Sequence, residues 1–122
     1  MENILTSEFY YLLDEAEKLI RADPSADQVI VVRTAKGSVC HLLNRSIMAG
    51  DTKEEDAFFT MLIDREETAI QAVVCMWNNR SIDLPSSHFR HRLMELCPDN
   101  QNAVVLLQGE NALIVKKLEQ LI

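Results

Sequence analysis

Between residues 4 and 22, apolar side chains return at three- and four-residue steps: Ile4, Leu5, Phe9, Leu12, Leu13, Ala16, Leu19 and Ile20, with Glu8, Asp14, Glu15 and Lys18 between them. That period predicts an amphipathic helix. Thr6 and Ser7 are equally placed to cap its start, and Asp23-Pro24 ends it, because proline disfavours the helical conformation in the preceding residue. The pattern then changes. Residues 28–33 (QVIVVR) are rich in β-branched side chains and read as a strand, residues 35–38 as a turn, and residues 39–43 (VCHLL) as a second short strand, which makes a hairpin. Residues 44–51 carry no clear period and read as an irregular loop that ends at a helix cap.

The helical period resumes over residues 52–63, with Ala57, Phe58, Met61 and Leu62 on the expected apolar face, Asp51 or Thr52 as the cap, and Glu54 and Glu55 in the first turn. Residues 69–77 (AIQAVVCMW) form the most continuous apolar run and read as a central strand. A helix follows over residues 87–96, opened by Leu84-Pro85 and closed near Cys97-Pro98. Residues 102–108 read as another strand, and residues 113–122 as a closing helix with Leu118, Leu121 and Ile122 on one face, although that segment is also compatible with a short strand at its start. Strands alternating with helices are accommodated by a sheet covered on both sides, so the predicted class is α/β, a mixed sheet flanked by helices, in a single domain over residues 1–122.

Composition narrows the function. With 122 residues, 48% of them hydrophobic, the chain can bury a core without staples. A formal net charge of -7, spread over both halves, argues against nonspecific binding to nucleic acid or an anionic membrane. No apolar run reaches spanning length, and residues 1–4 lack the basic flank of a secretory signal. The three widely spaced cysteines, Cys40, Cys75 and Cys97, read as free thiols in a reducing, cytoplasmic setting.

The element order, together with Glu55, Pro85 and Arg90, resembles the small zinc-dependent cytidine deaminases over residues 10–107. In that family one helix opens with Cys-Ala-Glu or His-Ala-Glu, and a Pro-Cys-x-x-Cys motif opens the next. Three protein ligands hold zinc, zinc polarises a water, and the glutamate shuttles its proton. Here the first motif falls on Lys53-Glu54-Glu55 and the second on Pro85-Ser86-Ser87-His88-Phe89. The resemblance therefore matches Glu55 to the acid/base glutamate, which is its role only if the chain is an enzyme, and matches Lys53, Ser86 and Phe89 to the three ligands. A lysine ammonium repels a cation, a phenylalanine has no donor atom, and a neutral serine is a poor zinc ligand. Asn44 is a loose counterpart of the asparagine on the family's nucleoside-binding strand, and the register over residues 44–56 is the least constrained part of the match.

These residues define a remnant pocket of Lys53, Glu55, Ser86 and Phe89, and no cofactor. Three further readings of the same residues stand beside it. Ser86, Ser87, His88 and Arg90 at a helix start form a candidate anion site. His88 and His91 with Cys75 or Cys97 form a candidate displaced zinc site, the basis of a divergent nucleoside or base deaminase. Lys53 and Glu55 facing each other would replace a metal's charge with a fixed one. The resulting expectation is a deaminase-like pseudoenzyme that binds a nucleoside-like or small anionic ligand, or a protein partner. The resemblance further implies a homo-oligomer, dimer or tetramer.

Overall fold

The computed structural model describes residues 7–45 and 52–122. The elements are α1 (Ser7–Ala22), β1 (Gln28–Thr34), β2 (Val39–Asn44), α2 (Lys53–Asp64), β3 (Ile70–Trp77), α3 (Ser87–Leu96), a 3-10 turn (Pro98–Asn102), β4 (Val104–Gln108), β5 (Leu113–Lys117) and a final 3-10 turn (Leu118–Leu121). The expected positions Ile4, Leu5 and Thr6 of the first helix, most of the irregular loop, and the cap Asp51 lie outside the described residues.

One five-stranded sheet, in the order β2-β1-β3-β4-β5, organises the chain. β1 pairs antiparallel with β2 and β3, β3 pairs parallel with β4, and β4 pairs antiparallel with β5. The pleat sends alternate side chains to opposite faces, and both faces are covered. Val29 and Val31 of β1, with Ala72, Val74 and Met76 of β3, pack against Phe9, Leu12, Ala16 and Ile20 of α1. Ile30, Val32, Val73 and Cys75 face the other way and pack with Phe58, Phe59 and Leu62 of α2 and Phe89 and Leu93 of α3. This explains why residues 28–33 and 69–77 are apolar without alternation: neither strand has a wet face. The architecture is the expected mixed α/β sheet flanked by helices.

The β1–β2 hairpin closes through Gly37, whose φ of 96° is a left-handed conformation open to glycine at no steric cost. Ser86 caps α3 by accepting a hydrogen bond from the Phe89 amide at 3.1 Å. Thr52 precedes α2 without a side-chain cap bond, and its hydroxyl lies 3.3 Å from Asp56 instead.

Two expectations are corrected. Residues 113–117 are a strand, not part of a closing helix. β4 presents an open edge, and the tight turn at Gly109, where a Cβ would stand 2.8 Å from the Ala112 carbonyl, folds Leu113–Lys117 back onto it. Only Leu118–Leu121 coil, as a 3-10 turn that buries Leu118 in the core. On α2, Ala57 is exposed, while Phe59 is 3% exposed and takes the core position.

Candidate functional site

A polar row crosses the end of the sheet. Gln28 is in register with Asn44 on one side and Trp77 on the other. Two-residue periodicity places all three on the face of Ile30, Leu42 and Cys75, above the buried cluster shared with α2 and α3. The Asn44 amide donates to Gln28 Oε1 at 3.3 Å, and the Trp77 indole N–H donates to Asp83 Oδ2 at 3.0 Å. The other oxygen of Asp83 accepts the Leu84 amide at 2.7 Å, so that carboxylate is fixed at both ends.

α2 and α3 both begin over this row. Together they enclose a cavity of about 450 Å³ lined by Gln28, Asn44, Glu55, Trp77, Asp83 and His88, with further walls from both helix starts.

Glu55 is the buried acid of the cavity wall, 8% exposed. His88 Nδ1 lies 2.6 Å from Glu55 Oε2, and Arg92 Nη1 donates to the same oxygen at 3.2 Å. The Arg92 guanidinium also donates to Asp56 Oδ1 at 2.5 Å and lies 4.5 Å over the Phe59 ring. That hydrogen bond holds the Asp56 carboxyl below its ordinary range. A carboxylate beside a bound imidazole fixes which ring nitrogen faces the cavity, so the arrangement can orient a hydrogen bond to a ligand.

The residues singled out from sequence are distributed unevenly. Glu55, Ser86 and His88 line the cavity. The Ser86 hydroxyl is engaged in capping α3, and Lys53 is exposed at the first position of α2. Phe89 is fully buried, with ring centroids 6.1 Å from Phe58 and 5.1 Å from Phe59, so it belongs to the core below the cavity.

The candidate anion set is not brought together. Arg90 turns away from His88, donating from Nε to the Pro85 carbonyl at 3.1 Å and from Nη1 to the Leu121 carbonyl. Ser87 and His91 meet each other, with His91 Nδ1 at 2.8 Å from the Ser87 carbonyl. The displaced zinc set is not brought together either. Cys75 is fully buried in β3, where burial pushes its thiol up, and Cys97 follows α3 roughly 13 Å of helix away from His88.

Four residues of the site escaped the sequence reading: Gln28, Asp83, Arg92 and Trp77 as a lining residue. The signal for Arg92 was present, since His88 and Arg92 stand four apart and must share a helix face. Gln28, Trp77 and Asp83 come together only through strand register.

No protein-family model matches the sequence, and no curated protein matches it. Among solved structures, the chain is similar to the cytidine deaminase from Mycobacterium leprae, with 14% identity and a TM-score of 0.69 over 93% of this chain and 96% of that one. It is similar to the cytidine deaminase from Burkholderia pseudomallei, with 16% identity, a TM-score of 0.66 and 93% and 94% covered. The cytidine deaminase from Bacillus anthracis gives 14% identity, a TM-score of 0.68 and 92% and 84% covered. At these identities the likeness establishes a cytidine deaminase-like fold.

That fold family implies zinc at the two helix starts, and the side chains present there do not fit it. The matched positions offer the ammonium of Lys53, the capping hydroxyl of Ser86 and the buried ring of Phe89. Among the described residues, no three His, Cys, Asp or Glu side chains are grouped to hold a metal. No helix of the described residues is long and apolar enough to cross a membrane.

Proposed function

We propose that the chain is a deaminase-like pseudoenzyme that binds a small nucleoside-like ligand in the cavity over Gln28, Asn44 and Trp77 and returns it unchanged. One observation carries the reading: Glu55, the counterpart of a proton-shuttling glutamate, is engaged by His88 and Arg92, while the amide and indole row beside it stays in the cavity wall. Glu55 Oε2 already accepts from Arg92 and stands against His88 Nδ1, and the donor set around it suits no zinc-activated water. The row suits a planar, polar ligand. Asn44 and Gln28 offer amide donors and acceptors, and the Trp77 ring offers an apolar surface oriented by Asp83.

The same reading carries self-association into a dimer or tetramer. Tyr10 and Tyr11 on α1 and Ile63 on α2, each more than half exposed, supply apolar surface for it.

The test is calorimetric titration with cytidine and with uridine, followed by chromatography of the cytidine. Saturable binding with cytidine recovered intact is the expected result. Conversion to uridine removes the non-catalytic reading, and failure of both nucleosides to bind removes the ligand class.

A further inference from the structure

A carboxylate as buried as Glu55 is costly to place unless it is paired. Both partners come from the facing helix. His88 sits in the first turn of α3 and Arg92 one turn further, on the same side. The Arg92 side chain, 26% exposed, reaches three residues of α2: Glu55, Asp56 and the ring of Phe59. Two helix starts are thus joined through charge at the place where the fold family implies a metal.

We infer that the cluster of Glu55, His88 and Arg92 takes the place of that metal as the tie between α2 and α3. Arg92 is permanently protonated and supplies a fixed positive charge against Glu55. His88 occupies the second side of the Glu55 oxygen, at the distance of a short hydrogen bond. Nη1 of the guanidinium donates to two carboxylates of α2, Glu55 and Asp56, so it bears on the separation of the helices as well as their electrostatics. The cavity is therefore complete without a cation, whichever ligand fills it. This differs from an exposed ion pair, whose contribution is usually near zero, because the shared carboxylate is nearly out of solvent.

The experiment uses the full chain without ligand, so its failure leaves the binding reading standing. Protein dialysed against chelator is titrated with zinc chloride. The expected result is no stoichiometric uptake and a Tm unchanged within about 1 °C by zinc or chelator. One zinc per chain with a raised Tm overturns the inference.

A double-mutant cycle then joins Glu55→Gln with Arg92→Met. Arg92→Met alone is expected to lower Tm by roughly 5–10 °C, since Glu55 loses its fixed partner, and the double variant is expected to recover part of that loss. Strictly additive losses overturn the inference. A parallel cycle with Asp56→Asn isolates the outer carboxylate, and coupling confined to Asp56 overturns it as well. Arg92→Gln, which loses the charge and keeps a polar side chain, replaces Arg92→Met in both cycles should that variant not fold.

Discussion

Changing Asn100 to leucine tests how α3, and with it His88 and Arg92, is held over the sheet. Asn100 is fully buried, and its amide group serves backbone alone. Nδ2 donates to the Leu93 carbonyl at 2.8 Å and to the Thr68 carbonyl at 3.0 Å, while Oδ1 accepts the Ile70 amide at 2.7 Å. Leu93 lies in the last turn of α3, so its carbonyl is one that the helix itself leaves without a partner. One side chain, carried on the 3-10 turn between α3 and β4, therefore caps α3 and anchors the entry to β3.

Asn100→Leu removes all three bonds at similar volume. Each of the three orphaned backbone groups costs about 1–3 kcal/mol, and the added apolar burial offsets about 1 kcal/mol, so a net loss of about 2–8 kcal/mol is expected. In urea, the midpoint should fall with the slope unchanged. A loss under about 1 kcal/mol refutes the reasoning.

Asn100→Asp adds a sign. The carboxylate keeps the Ile70 bond but faces two carbonyls, whereas the protonated acid can donate to one of them. The folded-state pKa of such an acid is raised above its unfolded value, near 3.9. Relative stability is then greatest below that value and is lost as pH rises through the folded pKa. A deficit that shrinks with rising pH contradicts the assignment.

Phe89→Ala is expected to cost about 3–5 kcal/mol in the same assay, because the ring fills the space between Phe58 and Phe59, and a loss below about 1 kcal/mol speaks against that packing. Cys75, buried and with its thiol pushed up, should resist iodoacetamide in the folded protein and react on unfolding, and rapid native labelling mapped to Cys75 by mass spectrometry would be contrary. Asp23, held down by Ser25 and Arg45, Asp56, held down by Arg92, and Glu67, held down by Thr34 and Ser38, all have folded-state pKa values below their unfolded ones. Their contribution is present above the ordinary carboxylate range and is lost as pH falls below about 4, so Tm should drop between pH 5 and 3 in calorimetry, and a flat profile disagrees. Light scattering should give two or four times the chain mass, and a monomer would count against self-association.

The sequence speaks most clearly where burial on two faces forces a composition. The β-branched runs around Val31 and Val73 admit little besides a central strand, and Pro85-Ser86 marks the start of α3 because a cap and a helix breaker act locally. β5 is different. Leu113–Lys117 has no strong preference of its own, and the open edge of β4 decides its conformation, a non-local term that periodicity does not contain. The same division runs through the site. Glu55 is marked by the family resemblance and His88 by its place in a helix start, but the row of Asn44, Gln28 and Trp77 exists only once three strands are in register. Phe89, matched to a ligand position by spacing, sits in the core because the first turn of α3 points that position at Phe58 and Phe59.

The parallel pairing of β3 with β4 is brief, matching Ala72 with Val104 and Val73 with Val105, whereas β1 pairs with β3 along nearly its whole length. The chain between the two parallel strands must first lay down α3 and its turn, so this seam forms across a long loop whose closure is slow. The β4–β5 hairpin, by contrast, closes through a short local turn at Gly109. Folding should then proceed as two pieces that meet late, an N-terminal three-strand unit and a C-terminal hairpin, and hydrogen exchange should find the seam between them the earliest part of the sheet to open.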